Sequence, residues 1–88
     1  MSTRTATVAS RVGLHARPAS LFVQAAAATG LPVTVAVGDG EPVDARSILM
    51  VMGLGAKHGD QVTLTAEGEG ADAALDSLVA LVETDHDA

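Results

Sequence analysis

The chain has 88 residues, no cysteine, a single aromatic residue, and eleven acidic against five basic side chains, which gives a formal charge of −6. This length fits one domain over residues 1–88, and the absence of cysteine excludes disulfides and thiolate metal sites and fits a cytoplasmic protein. The negative charge and the lack of stacking aromatics argue against a nucleic-acid partner, and no apolar run approaches the roughly 20 residues of a membrane span.

Two hydrophobic periods alternate along the chain and define the predicted elements. Segments that alternate threonine with alanine, valine or leucine are typical of half-buried strands, whereas apolar residues at i, i+3, i+4 and i+7 are typical of amphipathic helices. In chain order, these patterns predict a strand near residues 3–9, a helix over 17–29, a strand over 33–37, a partner strand near 41–44, a short helix over 48–52, a strand over 61–66, a helix over 71–83, and an acidic tail over 83–88 that we expect to fray.

Local features place two of these elements more closely. Pro42 cannot donate a ladder hydrogen bond, so the strand near 41–44 belongs at an edge of the sheet. Ser47 precedes the short helix and is well suited to be its N-cap. Because each longer strand has one polar face, we expect an α+β fold with a four-stranded antiparallel sheet and helices on one face.

The segment from Gly13 to Ser20 carries the most chemical information. Pro18 is accepted in the first turn of a helix, so His15 should stand at the N-terminus of the first long helix. There the backbone N–H groups of Ala16 and Arg17 lack helical acceptors, and the helix dipole favours an anion. The same field disfavours an imidazolium, so we expect a neutral, nucleophilic His15 at pH 7.

Arg17 adds a planar donor fork that matches phosphate oxygens. These residues together predict an anion-binding site that holds a nucleophile. Such a site also describes a small histidine-dependent hydrolase or a phosphate-binding module, although no second group is placed to activate water. A histidine at this position can also be a simple cap or a surface residue.

Three motifs resemble those of one family. Residues 13–19 resemble the active-site signature of HPr, the histidine-containing phosphocarrier of the phosphoenolpyruvate:sugar phosphotransferase system. Residues 46–55 resemble the second signature of this family, and residues 66–68, followed by an Ala- and Leu-rich helix, resemble its usual ending. The resemblance covers essentially the whole chain and implies an open-faced β-sandwich with the order βαββαβα.

The resemblance also implies a role for each matching residue. His15 would accept a phosphoryl group on Nδ1 from phosphorylated enzyme I and pass it to a histidine of a sugar-specific IIA component. Arg17 would contact the phosphoryl group, and the backbone N–H groups of Ala16 and Arg17 would hold its oxygens. Such a protein is a carrier and not an enzyme in its own right, and needs neither a cofactor nor a metal. The alternative within the family is a regulatory paralogue in nitrogen-type or transcriptional signalling.

The short helix is apolar on every side, which suggests either a buried helix or an exposed docking surface. The resemblance favours docking and implies that the partners contact Ala16, Ser20, Ile48, Leu49 and Met52. In some members the serine matching Ser47 is phosphorylated by a dedicated kinase, which would add that kinase or a transcription regulator to the partners. We expect a monomer with no membrane partner.

One feature departs from the family. Many members carry lysines around the docking surface, whereas Gln24, Ala27 and Met50 supply no charge here and leave mainly Arg17, Arg46 and Arg11. We therefore expect weaker electrostatic steering toward an acidic enzyme I than in basic relatives.

Overall fold

The computed structural model describes residues 1–85, and their elements follow the order βαββαβα that the sequence predicts. The elements are β1 (Ser2–Thr7), α1 (Ala16–Ala28), β2 (Val33–Val37), β3 (Val43–Asp44), α2 (Ile48–Gly53), β4 (Gln61–Ala66) and α3 (Ala71–Val82).

Most bounds agree with the sequence prediction to within a residue, and the differences of two residues are at the end of β1 and at the start of β3, which begins at Val43 and leaves Pro42 just outside the strand. The predicted strand reached residue 9, whereas β1 ends at Thr7. Val8 and Ala9 still make backbone hydrogen bonds, but their N–H groups donate to the carbonyl oxygens of Asp60 (2.9 Å) and Val82 (3.1 Å). The chain therefore leaves the ladder where it starts to turn toward α1.

The four strands form one antiparallel sheet in the order β1-β4-β2-β3. The two residues of β3 lie at an edge, which confirms the position inferred from Pro42. A proline next to a central strand would have left a neighbouring carbonyl without its donor.

The core lies between one face of the sheet and the helices. Phe22 of α1 and Leu75 and Leu78 of α3 are buried in one cluster with Val35 of β2 and Leu64 of β4. The other face of the sheet carries the threonines of the alternating pattern, with Thr5 directly opposite Thr63 and Thr3 opposite Thr65. This arrangement confirms an open-faced sandwich whose helices cover a single face.

The acidic tail differs in part from the sequence expectation. The Thr7 N–H donates to a Glu83 carboxylate oxygen (3.2 Å), and the Thr84 hydroxyl donates to the Ala80 carbonyl oxygen (2.8 Å). The last turn of α3 lies against the end of β1, so residues 83–85 have partners within the fold. Residues 86–88 of the expected frayed tail lie outside the described residues.

The longest helix between residues 1 and 85 is α1, with 13 residues. None of the helices in this part of the chain is long and apolar enough to cross a membrane.

Candidate functional site

The loop between β1 and α1 is held against the loop that follows α2. The Leu14 N–H donates to the Ala56 carbonyl oxygen (3.0 Å), and the Leu14 side chain is buried. Gly13 has a φ of +74°, and a Cβ at this position would overlap the Ala56 carbonyl oxygen. The close approach of the two loops therefore requires glycine, and it fixes the point from which His15 projects.

His15 occupies the N-cap position of α1 with an extended backbone (φ −143°, ψ 160°). Its side chain is exposed and makes no capping hydrogen bond. The reading of His15 as a simple helix cap is therefore not supported. The imidazole is open to a reagent that approaches from solvent.

The first turn of α1 leaves two backbone donors without acceptors. No backbone or side-chain oxygen within residues 1–85 accepts a hydrogen bond from the N–H of Ala16 or Arg17, and Pro18 has no N–H. The first helical bond, from the Ala19 N–H to the His15 carbonyl oxygen, is long at 3.5 Å. No acidic residue lies in this turn. An anion beside His15 would meet two free donors and the positive end of the helix dipole.

Ala16 has an unusual backbone conformation. Its φ is +50°, the only positive φ of a non-glycine residue within the described part of the chain. A left-handed alanine costs roughly 1–2 kcal/mol. Strain of this kind is often stored at functional sites, and here it lies between His15 and Arg17.

The arginines differ in whether a carboxylate neutralises them. The guanidinium of Arg17 is exposed and has no carboxylate partner within residues 1–85. The other three arginines are ion-paired at N to O distances of 3.1 to 3.5 Å: Arg4 with Asp72 and Asp76, Arg11 with Asp85, and Arg46 with Asp44. Arg17 is thus the guanidinium available to an incoming anion.

Helix α2 is a surface helix, which excludes the buried alternative. Ser47 is its N-cap, as the sequence predicts, and its Oγ accepts a hydrogen bond from the Met50 N–H (3.4 Å). Val51 is the buried residue of α2, whereas Ile48 is 40% exposed and Leu49 is 82% exposed. The helix therefore presents an apolar surface beside α1.

The exposed apolar residues are not all those the sequence indicated. Met52 is half-buried and packs against the core, whereas Met50 is 49% exposed. The sequence did not indicate Met50 as a contact residue, because a helix that is apolar on every side gives no periodic signal for its exposed face. Val12, in the loop before His15, is also 53% exposed and was missed because a lone valine in a loop has no periodic signal.

The two remaining predicted contact residues lie on α1. Ala16 is exposed, whereas Ser20 is half-buried and its Oγ accepts a hydrogen bond from Gln24 Nε2 (3.1 Å). A groove of about 220 Å³ is lined by Met1, Pro32, Thr34, Thr65, Ala66 and Glu67, none of which belongs to the His15 region. Within residues 1–85, no three His, Asp or Glu side chains form a group that could hold a metal ion.

Comparisons with known proteins find one family that matches nearly the whole chain. Residues 2–84 match the family described as "PTS HPr component phosphorylation site". The chain is 55% identical over 82 residues to phosphocarrier protein HPr of Streptomyces coelicolor, covering 93% of this chain and 88% of the relative.

Two solved structures have the same fold. HPr-C-His from Thermoanaerobacter tengcongensis superposes with a TM-score of 0.87 at 41% identity, covering 94% of this chain and 92% of that one. Phosphocarrier protein HPr from Bacillus anthracis superposes with a TM-score of 0.86 at 38% identity, covering 92% and 95% of the two chains.

Proposed function

Because this chain belongs to the HPr family, we propose that its His15 carries the phosphoryl group. The members of this family are phosphocarriers of the phosphotransferase system and are not catalytic enzymes. His15 accepts this group from phosphorylated enzyme I and passes it to a sugar-specific IIA component during bacterial sugar uptake in the cytoplasm. The observation that carries the proposal is an exposed imidazole at the start of α1, followed by two backbone donors and a guanidinium that have no partner within residues 1–85.

The chemistry exchanges one bond to phosphorus for another. The Nδ1 lone pair of a neutral His15 attacks phosphorus, and the bond between phosphorus and its donor atom on enzyme I breaks. The Nε2 proton stays in place, and no water takes part because the phosphoryl group passes directly from the donor atom to Nδ1. Transfer to a histidine of the IIA component repeats the exchange in the forward direction and leaves His15 free.

The surroundings of His15 suit reversible transfer. The backbone N–H groups of Ala16 and Arg17 hold the phosphoryl oxygens, and the Arg17 guanidinium neutralises part of their charge. An open helix end with one arginine binds these oxygens only moderately, so the phosphorylated state is not a trap. Each partner completes the positioning and charge stabilisation on which phosphoryl transfer depends.

Helix α2 supplies the apolar part of the docking surface. We assign docking to Ile48, Leu49 and Met52 together with Ala16 and Ser20, and exposure adds Met50 to this set. Exposed apolar patches of this kind usually serve as interfaces. The protein acts as a monomer in this proposal.

Ser47 is a candidate for regulatory phosphorylation by a dedicated kinase. A phosphate on the N-cap would suit the helix dipole but would add negative charge to a surface that docks acidic partners. The 55% identity is to a relative named as a phosphocarrier, so it does not favour the regulatory paralogue as the main function.

The test is phosphorylation by phosphoenolpyruvate and the cognate enzyme I. Wild type should gain acid-labile phosphate, and His15→Ala should gain none. His58→Ala removes an exposed histidine from another loop and should be labelled like wild type. A label on His15→Ala, or none on wild type, would overturn the proposal. Loss of the label to an added IIA component tests the forward step.

A further inference from the structure

Asp44 and Arg46 form a compact charged unit at the edge of the sheet. The Arg46 side chain donates from Nε to Asp44 Oδ1 (3.1 Å) and from Nη2 to Asp44 Oδ2 (3.4 Å), so the carboxylate takes both arms of the guanidinium fork. The Arg46 backbone N–H also donates to Asp44 Oδ1 (2.9 Å). The side-chain and backbone hydrogen bonds from Arg46 lower the pKa of Asp44, so the carboxylate is ionised at neutral pH.

This unit leads directly into the proposed docking surface. Asp44 is the last residue of β3, and its carbonyl oxygen accepts a hydrogen bond from the N–H of Ser47 (3.2 Å). Ser47 then caps α2, whose next two residues, Ile48 and Leu49, are exposed. Arg46 therefore stands two residues before Ile48, the first residue of the helix that we assign to partner binding.

We propose that Asp44 is a positioning residue that keeps the Arg46 guanidinium in an ion pair and so withholds its charge from an acidic docking partner. This inference rests on the proposed function, and it names a determinant of partner recognition at the same surface. While Arg46 is paired with Asp44, Arg17 is the arginine within residues 1–85 that has no carboxylate partner and can bind an acidic group of the docking partner. The apolar side chains of α2 supply the remaining attraction.

The charge of Asp44 is separable from its role in the turn. The turn needs one side-chain oxygen at this position to accept the Arg46 N–H, and asparagine or serine can supply it. Neither residue can hold a guanidinium through two charged oxygens. Asp44→Asn therefore keeps the backbone bond and releases Arg46, and Asp44→Ser is a second variant with the same logic.

The experiment measures kcat/KM for phosphorylation of the full chain by the cognate enzyme I as a function of ionic strength. Asp44→Asn should raise kcat/KM about twofold to fivefold at low salt, since one charge-assisted contact at an exposed interface is gained. The increase should vanish near 1 M salt, where the Debye length is about 3 Å. Unchanged thermal unfolding of the variant would exclude a purely structural origin.

Two further variants identify the cause of the increase. Asp39→Asn removes one negative charge from the exposed turn between β2 and β3 and should change kcat/KM by less than about 1.5-fold. In an Arg46→Gln background, Asp44→Asn should also change kcat/KM by less than about 1.5-fold, because Asp44 acts through Arg46. These two variants separate release of Arg46 from a general change in net charge.

The outcomes are distinguishable. An equal increase with and without Arg46, or the same increase for Asp39→Asn, would show that Asp44 acts only as a distant charge and would overturn the inference. Absence of any increase for both Asp44→Asn and Asp44→Ser would do the same. Failure of wild type to be phosphorylated would instead overturn the proposed function.

Discussion

Gly13 offers the sharpest test of how the fold positions His15. Replacing Gly13 with alanine combines two penalties, because its φ is +74° and because the new Cβ would overlap the Ala56 carbonyl oxygen. That carbonyl also accepts the Leu14 N–H (3.0 Å), so moving it away weakens a bond that holds the loop. We expect Gly13→Ala to lower stability and displace His15.

A matched control separates the two contributions to the loss of stability. Gly30 has a similar φ of +70°, but a Cβ there would meet nothing within 4 Å. Gly30→Ala should therefore cost only the left-handed conformation, about 1 kcal/mol. Gly13→Ala adds an overlap that forces the backbone to shift, which typically costs about 1–3 kcal/mol, so its total should be about 2–4 kcal/mol.

The assay is urea-induced unfolding of wild type and both variants, followed by the rate of phosphorylation at His15. Gly13→Ala should lose at least about 1 kcal/mol more than Gly30→Ala. Its rate of phosphorylation should fall even under conditions in which it is fully folded, whereas that of Gly30→Ala should not. Equal losses of stability for the two variants would refute the close approach of Gly13 to Ala56 as the reason for glycine.

Substitutions at three further positions test the local energetics. Ala16→Gly should stabilise the fold by about 0.5–1 kcal/mol in chemical denaturation, because the relief of a left-handed alanine exceeds the added entropy of the unfolded chain; a loss of stability would contradict the strain at this residue. Ser47→Ala should lower the free energy of unfolding by about 0.5–1 kcal/mol, whereas Ser47→Asp should keep most of the stabilisation by the cap. Equal losses for the two variants would show that the bond to the Met50 N–H is not a stabilising cap. The pKa of Asp72 is lowered, first by a hydrogen bond from the Ser2 side chain and then by Arg4. The ionised carboxylate therefore stabilises the fold above pH 3.8, the usual pKa of the group, and this stabilisation is lost as the pH falls through the folded pKa. The stability gap between wild type and Asp72→Asn should therefore close on acidification, and a gap that grows would contradict this sign.

The strands and long helices could be predicted because their signals are local and repeated. The alternation in β4 and the stripe through Phe22 each report one buried face over several residues, and the structure bears both out. Pro42 allowed the edge strand to be predicted because proline lacks a backbone N–H donor in any surroundings.

The surface of α2 was harder to predict because every side of this helix is apolar. Periodicity cannot say which side faces the core when no polar residue marks the other, and the outcome was decided by Val51, which alone in this helix is fully buried. The pairing of Arg46 with Asp44 depends on the sharp turn after a two-residue strand, and the pairing of Arg11 with Asp85 depends on where α3 ends. The first pair is a local contact between residues two apart, and the second is a tertiary contact; neither leaves a trace in composition or in hydrophobic periodicity.

The N-termini of the three described helices differ in whether an oxygen of the chain already lies there, and this difference favours α1 as the proposed anion site. At α2 the Ser47 Oγ accepts a free N–H, and at α3 Asp72 stands in the first turn, so each of these ends already has an oxygen of its own. Helix α1 has neither a side-chain cap nor an acid in its first turn, and it begins with the strained Ala16. The net charge of −6 does not oppose this site strongly, because the Debye length at physiological ionic strength is about 8 Å and screens distant exposed acids. An acidic chain can therefore hold a phosphoryl group if the groups in contact with it are two backbone donors and an arginine that pairs with no carboxylate of residues 1–85.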